Sequence, residues 1–418
     1  MTEGRLGFEG LDACVHCGFC LQACPTFLAT GDESDSPRGR IELMRALERG
    51  ELAATDPALI YHLDRCLGCR GCEPVCPSGV RYGHGLEAAR ARITAAKGTP
   101  LLARLALWVL TTPGVSSVAF WFARLLRAVL PKSTAGWGRV RFGLGMLAAT
   151  KPKDAARRRR TPKGRKGDPL RRPSASSGVQ LFSGCVQDGL FQHVHDATVR
   201  TLGVNGFSVQ APASQVCCGA LHAHAGLSEQ ARALARRNID AFGDGDEPIV
   251  VNSAGCGALM KEYGWLLDTE RAKRFSVRVK DVTELLASNG KGPVAGAPLD
   301  LHVAYDPPCH LLHAQRINAE PLKLFAAIPL LELVPVTGAA ECCGSAGLFT
   351  VLEPEMSRAV LKTKLEYLRQ AAPQIVASGN PGCLMQLGAG LAAAGIRAEV
   401  RHPVELLDDS YRAAGRYE

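Results

Sequence analysis

All sixteen cysteines of this 418-residue chain fall into doubled patterns. Eight lie in two runs, CVHCGFCLQACP and CLGCRGCEPVCP. The first places Cys14, Cys17, Cys20 and Cys24 at C-x2-C-x2-C-x3-C-P spacing; the second places Cys66, Cys69, Cys72 and Cys76 at the same spacing, 52 residues on at every position. Thiolates every third residue on a short loop can grip three irons of one four-iron cube. The fourth cysteine, followed by proline, points away and serves the other cube. The pattern therefore assigns Cys14, Cys17, Cys20 and Cys76 to one [4Fe-4S] cluster, and Cys66, Cys69, Cys72 and Cys24 to a second. Zinc would call for C-x2-C pairs split by a longer loop, and disulfides suit a secreted chain. Gly18, Gly68 and Gly71 leave space for backbone beside sulfide, and Pro25 and Pro77 stop a helix from running through the end of each motif.

The other eight cysteines form a second duplication. VQLFSGCVQ (Cys185), VCCGALHAHAG (Cys217, Cys218) and VNSAGCGALM (Cys256) recur as HVAYDPPCHLLH (Cys309), ECCGSAGLF (Cys342, Cys343) and SGNPGCLMQL (Cys383). The copies are offset by 124, 125 and 127 residues at the three cysteine positions, which marks an internal repeat. Two cysteines of each copy follow a short apolar run and precede a helical pattern. Such a βα unit puts thiolates at the carboxyl ends of parallel strands and near helix N-termini, where α/β folds bind ligands and thiolate is favoured. Each copy thus offers four thiolates, for a further iron–sulfur cluster or for zinc; the count of four suits either. His222, His224, His310 and His313 stand near these cysteines, and His310 is the best placed of them because it adjoins Cys309.

The elements that must position these groups imply a multidomain protein: an N-terminal α-helical two-cluster ferredoxin module at 1–95, a helical connector at 96–150, a basic linker at 151–177, and a duplicated α/β domain at 178–295 and 296–418. Ile41, Leu43, Met44 and Leu47 predict a helix after Pro37, with further helices over 57–65 and 83–98. Residues 105–123 carry no charge, but Thr111-Thr112-Pro113-Gly114 interrupts them. This predicts two amphipathic helices packed on the protein, the second reading being a face for a membrane or a partner. The net charge of +9 equals that of residues 151–172 alone, which hold eleven Lys/Arg and two Asp. The rest is neutral, so nucleic-acid binding is not expected. The first fourteen residues lack the basic and apolar regions of a secretion signal. A cytoplasmic location is expected, at most peripheral on the inner face of the plasma membrane.

The motifs CVHCGFC…ACPT, SPRGRI, LDRCLGC…C…VCPSGVRY and the two CCG motifs together resemble the iron–sulfur subunits of bacterial glycolate oxidase, within a superfamily of CCG-domain proteins that includes heterodisulfide reductase. The likeness runs from about residue 10 to residue 410. It implies an electron-transfer subunit serving FAD-binding 2-hydroxy-acid dehydrogenase subunits and a quinone-type acceptor, with no catalytic residue and no FAD on this chain. The chain shows no strand–GxGxxG–helix unit, since NGKGPVA at 289–295 is a poor match, and no P-loop. Full CCG domains end in C-x2-C; here Leu259 and Gln386 stand at that last position, which disfavours the non-cubane cluster and disulfide cleavage. Two rival readings are an iron–sulfur subunit for D-lactate or glycerol-3-phosphate dehydrogenase, and a zinc-stabilised scaffold without redox function.

Overall fold

A computed structural model describes residues 7–131, 134–152, 177–288 and 292–417. Most of the basic stretch and the start of NGKGPVA lie outside the described residues.

The N-terminal part is helical. Helices Pro25–Thr30, Pro37–Glu48 and Pro57–Asp64 each open on proline, whose missing N–H costs nothing in the first turn. Ser36 and Asp56 cap the second and third by accepting from Gly39 N–H and from Ala58 and Leu59 N–H. Pro25 therefore starts a helix where the sequence suggested only a stop, and Pro37 is the first residue of its helix rather than the one before it. Pro77 lies in a turn. The exit helix Tyr82–Lys97 packs Leu86, Ala89 and Ile93 onto Ile41, Met44, Leu59 and Leu63.

The connector holds helices Leu101–Thr111 and Pro113–Val129, broken at Thr112 as TTPG predicted, and a third helix, Arg139–Ala149, that its glycines hid from the sequence reading. Those glycines permit close approach. A Cβ on Gly145 would meet Ala135 at 2.8 Å and Ala389 at 3.3 Å, and one on Gly388 would meet Ala149 at 2.5 Å. The third helix thus locks onto helix Pro381–Ala393 of the second α/β copy.

The two α/β copies share one topology. Strands β1 (Ser177–Phe182), β2 (Phe207–Gln210), β3 (Ile249–Val251) and β4 (Val279–Asp281) form a parallel sheet in the order β2-β1-β3-β4. Strands β5 (Leu301–Tyr305), β6 (Leu331–Leu333), β7 (Ile375–Ala377) and β8 (Glu399–Arg401) repeat it as β6-β5-β7-β8. One core joins the copies, with Val179, Leu181 and Val250 of the first clustered with Val303, Ile375 and Leu407 of the second. Arg200 seals the seam through a bidentate pair with Asp408 at 2.8 and 2.7 Å.

His402 ties the seam as well. Its Nε2 lies 3.1 Å from the Asn252 carbonyl, and its Nδ1 accepts from Val404 N–H. Burial pushes His402 down to about 3, and burial followed by the neighbouring His224 and Arg70 does the same to His310. Both rings fold neutral and would charge first in the unfolded chain. Their stabilisation is full above about pH 6.5 and is lost as pH falls toward 3, at about 1.4 kcal/mol per unit each. Asp281, raised to about 6 by burial, opposes one of them between pH 6 and its ordinary value of 3.8. His402 alone should remove about 1.4 kcal/mol per pH unit as pH falls below about 6.5. Denaturant unfolding across pH 7.5 to 4.5 checks it, and the slope should flatten in His402→Asn.

Candidate metal centres

The two ferredoxin-type runs fold alike despite different residues. Each turns left-handed at the second and fourth positions after its first cysteine: His16 (φ 55°) and Gly18 (φ 84°) in the first, Gly68 (φ 61°) and Arg70 (φ 60°) in the second. A left-handed residue on either side of Cys17 and of Cys69 gives both runs the same tight turn around the cysteine. Glycine takes one such position in each run. His16 and Arg70 take the other against their usual preference, held by His16 Nε2 at 3.0 Å from Arg45 and Arg70 at 2.9 Å from Glu73 and 2.6 Å from Glu262.

Cys14, Cys17, Cys20 and Cys76 line one cavity, closed on its inner side by Cys72, Ile41 and Tyr82. Cys76 reaches it from the second run, as the crossed spacing requires. Cys24 reaches the other way and is buried near the second set. Thiolate charge on Cys24 is among the causes that raise Cys69 and Cys72, after burial and their nearer neighbours. Burial pushes Cys20 up to about 11 and Cys69 and Cys72 well above an ordinary thiol. Without a metal these thiols keep their protons, and binding one would release them. Thiols that line one cavity in the first set, and that lie mostly buried in the second, fit iron–sulfur clusters.

Arg40 fastens Cys24, and the sequence reading passed over it. The side chain is fully buried. Its guanidinium donates to the His62 carbonyl (2.7 Å), Thr26 Oγ1 (2.8 Å), Asp35 Oδ1 (3.1 Å) and the Asp35 carbonyl, with Cys24 Sγ at 4.0 Å. Its signal was its position: Pro37, Arg40, Ile41, Met44 and Leu47 form the buried stripe of their helix, with a cation in an apolar slot.

In the first α/β copy, Cys185 and Cys256 sit at the ends of the adjacent strands β1 and β3, opening helix Cys185–Leu190 and within helix Ala254–Lys261. Cys185 donates to Cys217 at 3.6 Å, which holds its own thiol up and depresses Cys217. Cys218 is raised by bonds to Cys217 and Cys256, so the four form one chain of contacts. Asn238 and Tyr263 support the pair from behind, donating to the Cys217 and Cys218 carbonyls at 3.0 and 2.7 Å.

The second copy repeats this with Cys309, Cys342, Cys343 and Cys383, and Cys342 is depressed by its bond from Cys309. Lys364 replaces Asn238, buried and paired with Asp306 at 2.8 Å. Gln386, at the position of the absent cysteine, donates to Ser357 Oγ at 2.9 Å and accepts from Thr350 at 3.2 Å; Leu259 is buried core. Neither contributes sulfur. Asn380 joins the copies, accepting from Gly255 N–H at 3.3 Å and donating to Cys383 Sγ at 3.4 Å.

The two kinds of site meet at one place. Cys69 packs with Cys309, Cys342, Leu67, Phe349 and Met356 in a single apolar cluster. Among the histidines, His310 is half-buried, with Nδ1 3.5 Å from Cys309 Sγ and its ring 5.4 Å from that of His224. His224 pairs with Glu87 at 3.3 Å, His313 Nε2 lies 2.8 Å from the Ala340 carbonyl, and His222 is buried behind Cys217.

Two family models match: a 4Fe-4S dicluster domain over residues 10–80, and a cysteine-rich CCG domain over 179–261 and 303–388. The chain is 34% identical to the probable glycolate oxidase iron-sulfur subunit of Bacillus subtilis over 438 aligned positions, covering 96% of this chain and 94% of that one. It is 34% identical to the glycolate oxidase iron-sulfur subunit of Escherichia coli over 414 positions, with the same shares covered. Lactate utilization protein A of Geobacillus kaustophilus is 31% identical over 235 positions, 55% of this chain and 98% of that one. With its dicluster fold, its doubled parallel sheets and likeness along nearly its whole length, the chain belongs to the family of glycolate oxidase iron–sulfur subunits.

Proposed function

We propose that this chain takes electrons from a flavoprotein subunit that oxidises glycolate, or a related 2-hydroxy acid, and delivers them to a quinone-type acceptor. Two [4Fe-4S] clusters, when bound, supply one-electron carriers that split the pair released by the flavin. Cys14, Cys17, Cys20 and Cys76 would hold the first, and Cys24, Cys66, Cys69 and Cys72 the second. The CCG cysteines would hold a further cluster or zinc.

The observation that supports this reading is a set of thiols that runs from the surface to the cysteines of the second CCG copy. Cys17 is exposed at one end, and at the other Cys69 packs against the same apolar cluster as Cys309 and Cys342. The surface end is the natural port. Val15 and Phe19 flank Cys17 there, 68% and 66% exposed, two apolar side chains with no core to fill. The inner end is kept dry by Leu67, Phe349 and Met356. Extension of the glycolate oxidase likeness over 96% of the chain, against 55% for the lactate protein, favours glycolate.

Val15→Ser/Phe19→Ser should slow electron delivery about five- to tenfold at limiting partner, through lost docking contact, with iron content unchanged. Stopped-flow reduction by the flavoprotein measures it. An unchanged rate would move the port elsewhere. Substrate is tested on the reconstituted complex with glycolate, D-lactate and glycerol 3-phosphate; a preference for either of the last two overturns the glycolate reading.

A further inference from the structure

Helices Leu101–Thr111 and Pro113–Val129 carry an apolar face that no part of the described residues covers. Leu102, Leu105, Trp108, Trp121, Phe122 and Leu125 are each more than half exposed. The opposite face is firmly docked. Ala103 and Leu107 are buried, and Phe120 lies over Gly189. Arg124 donates to the Gly189 carbonyl at 3.0 Å, and Arg127 to the Leu190 and Thr150 carbonyls at 2.7 and 2.8 Å. The pair is therefore fixed with its greasy side outward.

Charge selects the occupant. Residues 88–153 hold eleven Lys/Arg and no Asp or Glu. Arg104 is exposed on the same helical face as Leu101 and Trp108, and Arg139 is exposed nearby in sequence. The stretch that carries these helices has charge of one sign, which suits anionic headgroups, with the exposed indole rings at the water–lipid boundary. Among the described residues no single helix is long and apolar enough to cross a bilayer, so the face would lie in its plane.

We propose that this helical pair seats the protein on an anionic lipid bilayer, with Trp108, Trp121 and Phe122 inserted at the acyl boundary and Arg104 at phosphate level. The proposal is independent of the electron-transfer reading, since it needs no cluster.

Flotation of the full chain with vesicles tests it. Phosphatidylcholine vesicles containing about a third phosphatidylglycerol should carry the protein up, and phosphatidylcholine alone should not. Brominated acyl chains should quench the wild-type tryptophan emission. Trp108→Ser/Trp121→Ser should lower partitioning at least about tenfold, with circular dichroism and iron content unchanged. No flotation with either vesicle overturns the proposal. So does flotation that the double variant leaves intact, which would place binding on charge outside this face. Burial of both tryptophans by the flavoprotein in a complex that ignores vesicles would assign the face to that partner and overturn it too.

Discussion

Cys69→Ser should cost the protein one cluster, about four irons per chain, and slow delivery of electrons from the flavoprotein to the acceptor at least about a hundredfold. Cys69 is the middle thiol of the second run. The left-handed residues on either side of it, Gly68 and Arg70, fix the path of the loop, so the serine hydroxyl stands where the cluster needs a thiolate. Cys69 also shares an apolar cluster with Cys309 and Cys342, so the break falls at the junction between the ferredoxin-type part and the second CCG copy. The flavoprotein alone should still reduce an artificial dye. That arm separates a severed path from a damaged partner. Full glycolate-to-acceptor turnover in a variant with proven cluster loss would refute the path.

Arg40→Ala should cost about 3–5 kcal/mol of folding free energy, because it strands a buried carboxylate. Asp35 is fully buried and depends on Arg40 at 3.1 Å, His62 at 3.0 Å and Arg65 at 3.0 Å. Thr26 Oγ1 and the His62 carbonyl lose their donor as well. Since the same guanidinium stands 4.0 Å from Cys24 Sγ, the crossed ligand should loosen, and the second cluster should be lost to chelator faster than the first. Anaerobic denaturant unfolding and timed iron release measure the two effects. Asp35→Asn/Arg40→Met should recover much of the stability, because it removes both charges together. A stability loss under about 1 kcal/mol for Arg40→Ala would mean the ion pair is dispensable.

Covalent spacing made the cysteine chemistry legible: a C-x2-C-x2-C-x3-C-P run states which sulfurs are near one another before any fold is known. Strand-then-cysteine-then-helix order made the parallel sheets legible in the same way, and both copies show it. Side chains that act through tertiary contact were not legible. Arg40 and Asp35 look like ordinary helix and loop charges until the helix over 57–64 closes over them. Asn380 reads as a turn residue before proline, yet it links the two CCG copies. The helix Arg139–Ala149 was hidden because Gly143 and Gly145 depress helix propensity, while the need for Gly145 shows only where Ala135 and Ala389 press against it. His16 and Arg70 hid a shared backbone path, because the glycine sits at opposite positions in the two runs.

Metal and sulfide content of the protein purified without oxygen tests the central claim most directly. Two crossed cysteine sets predict about eight irons and eight acid-labile sulfides per chain, more if the CCG sites also fill, and a reducible EPR signal. A folded, colourless protein holding zinc, with neither iron nor sulfide, would contradict it.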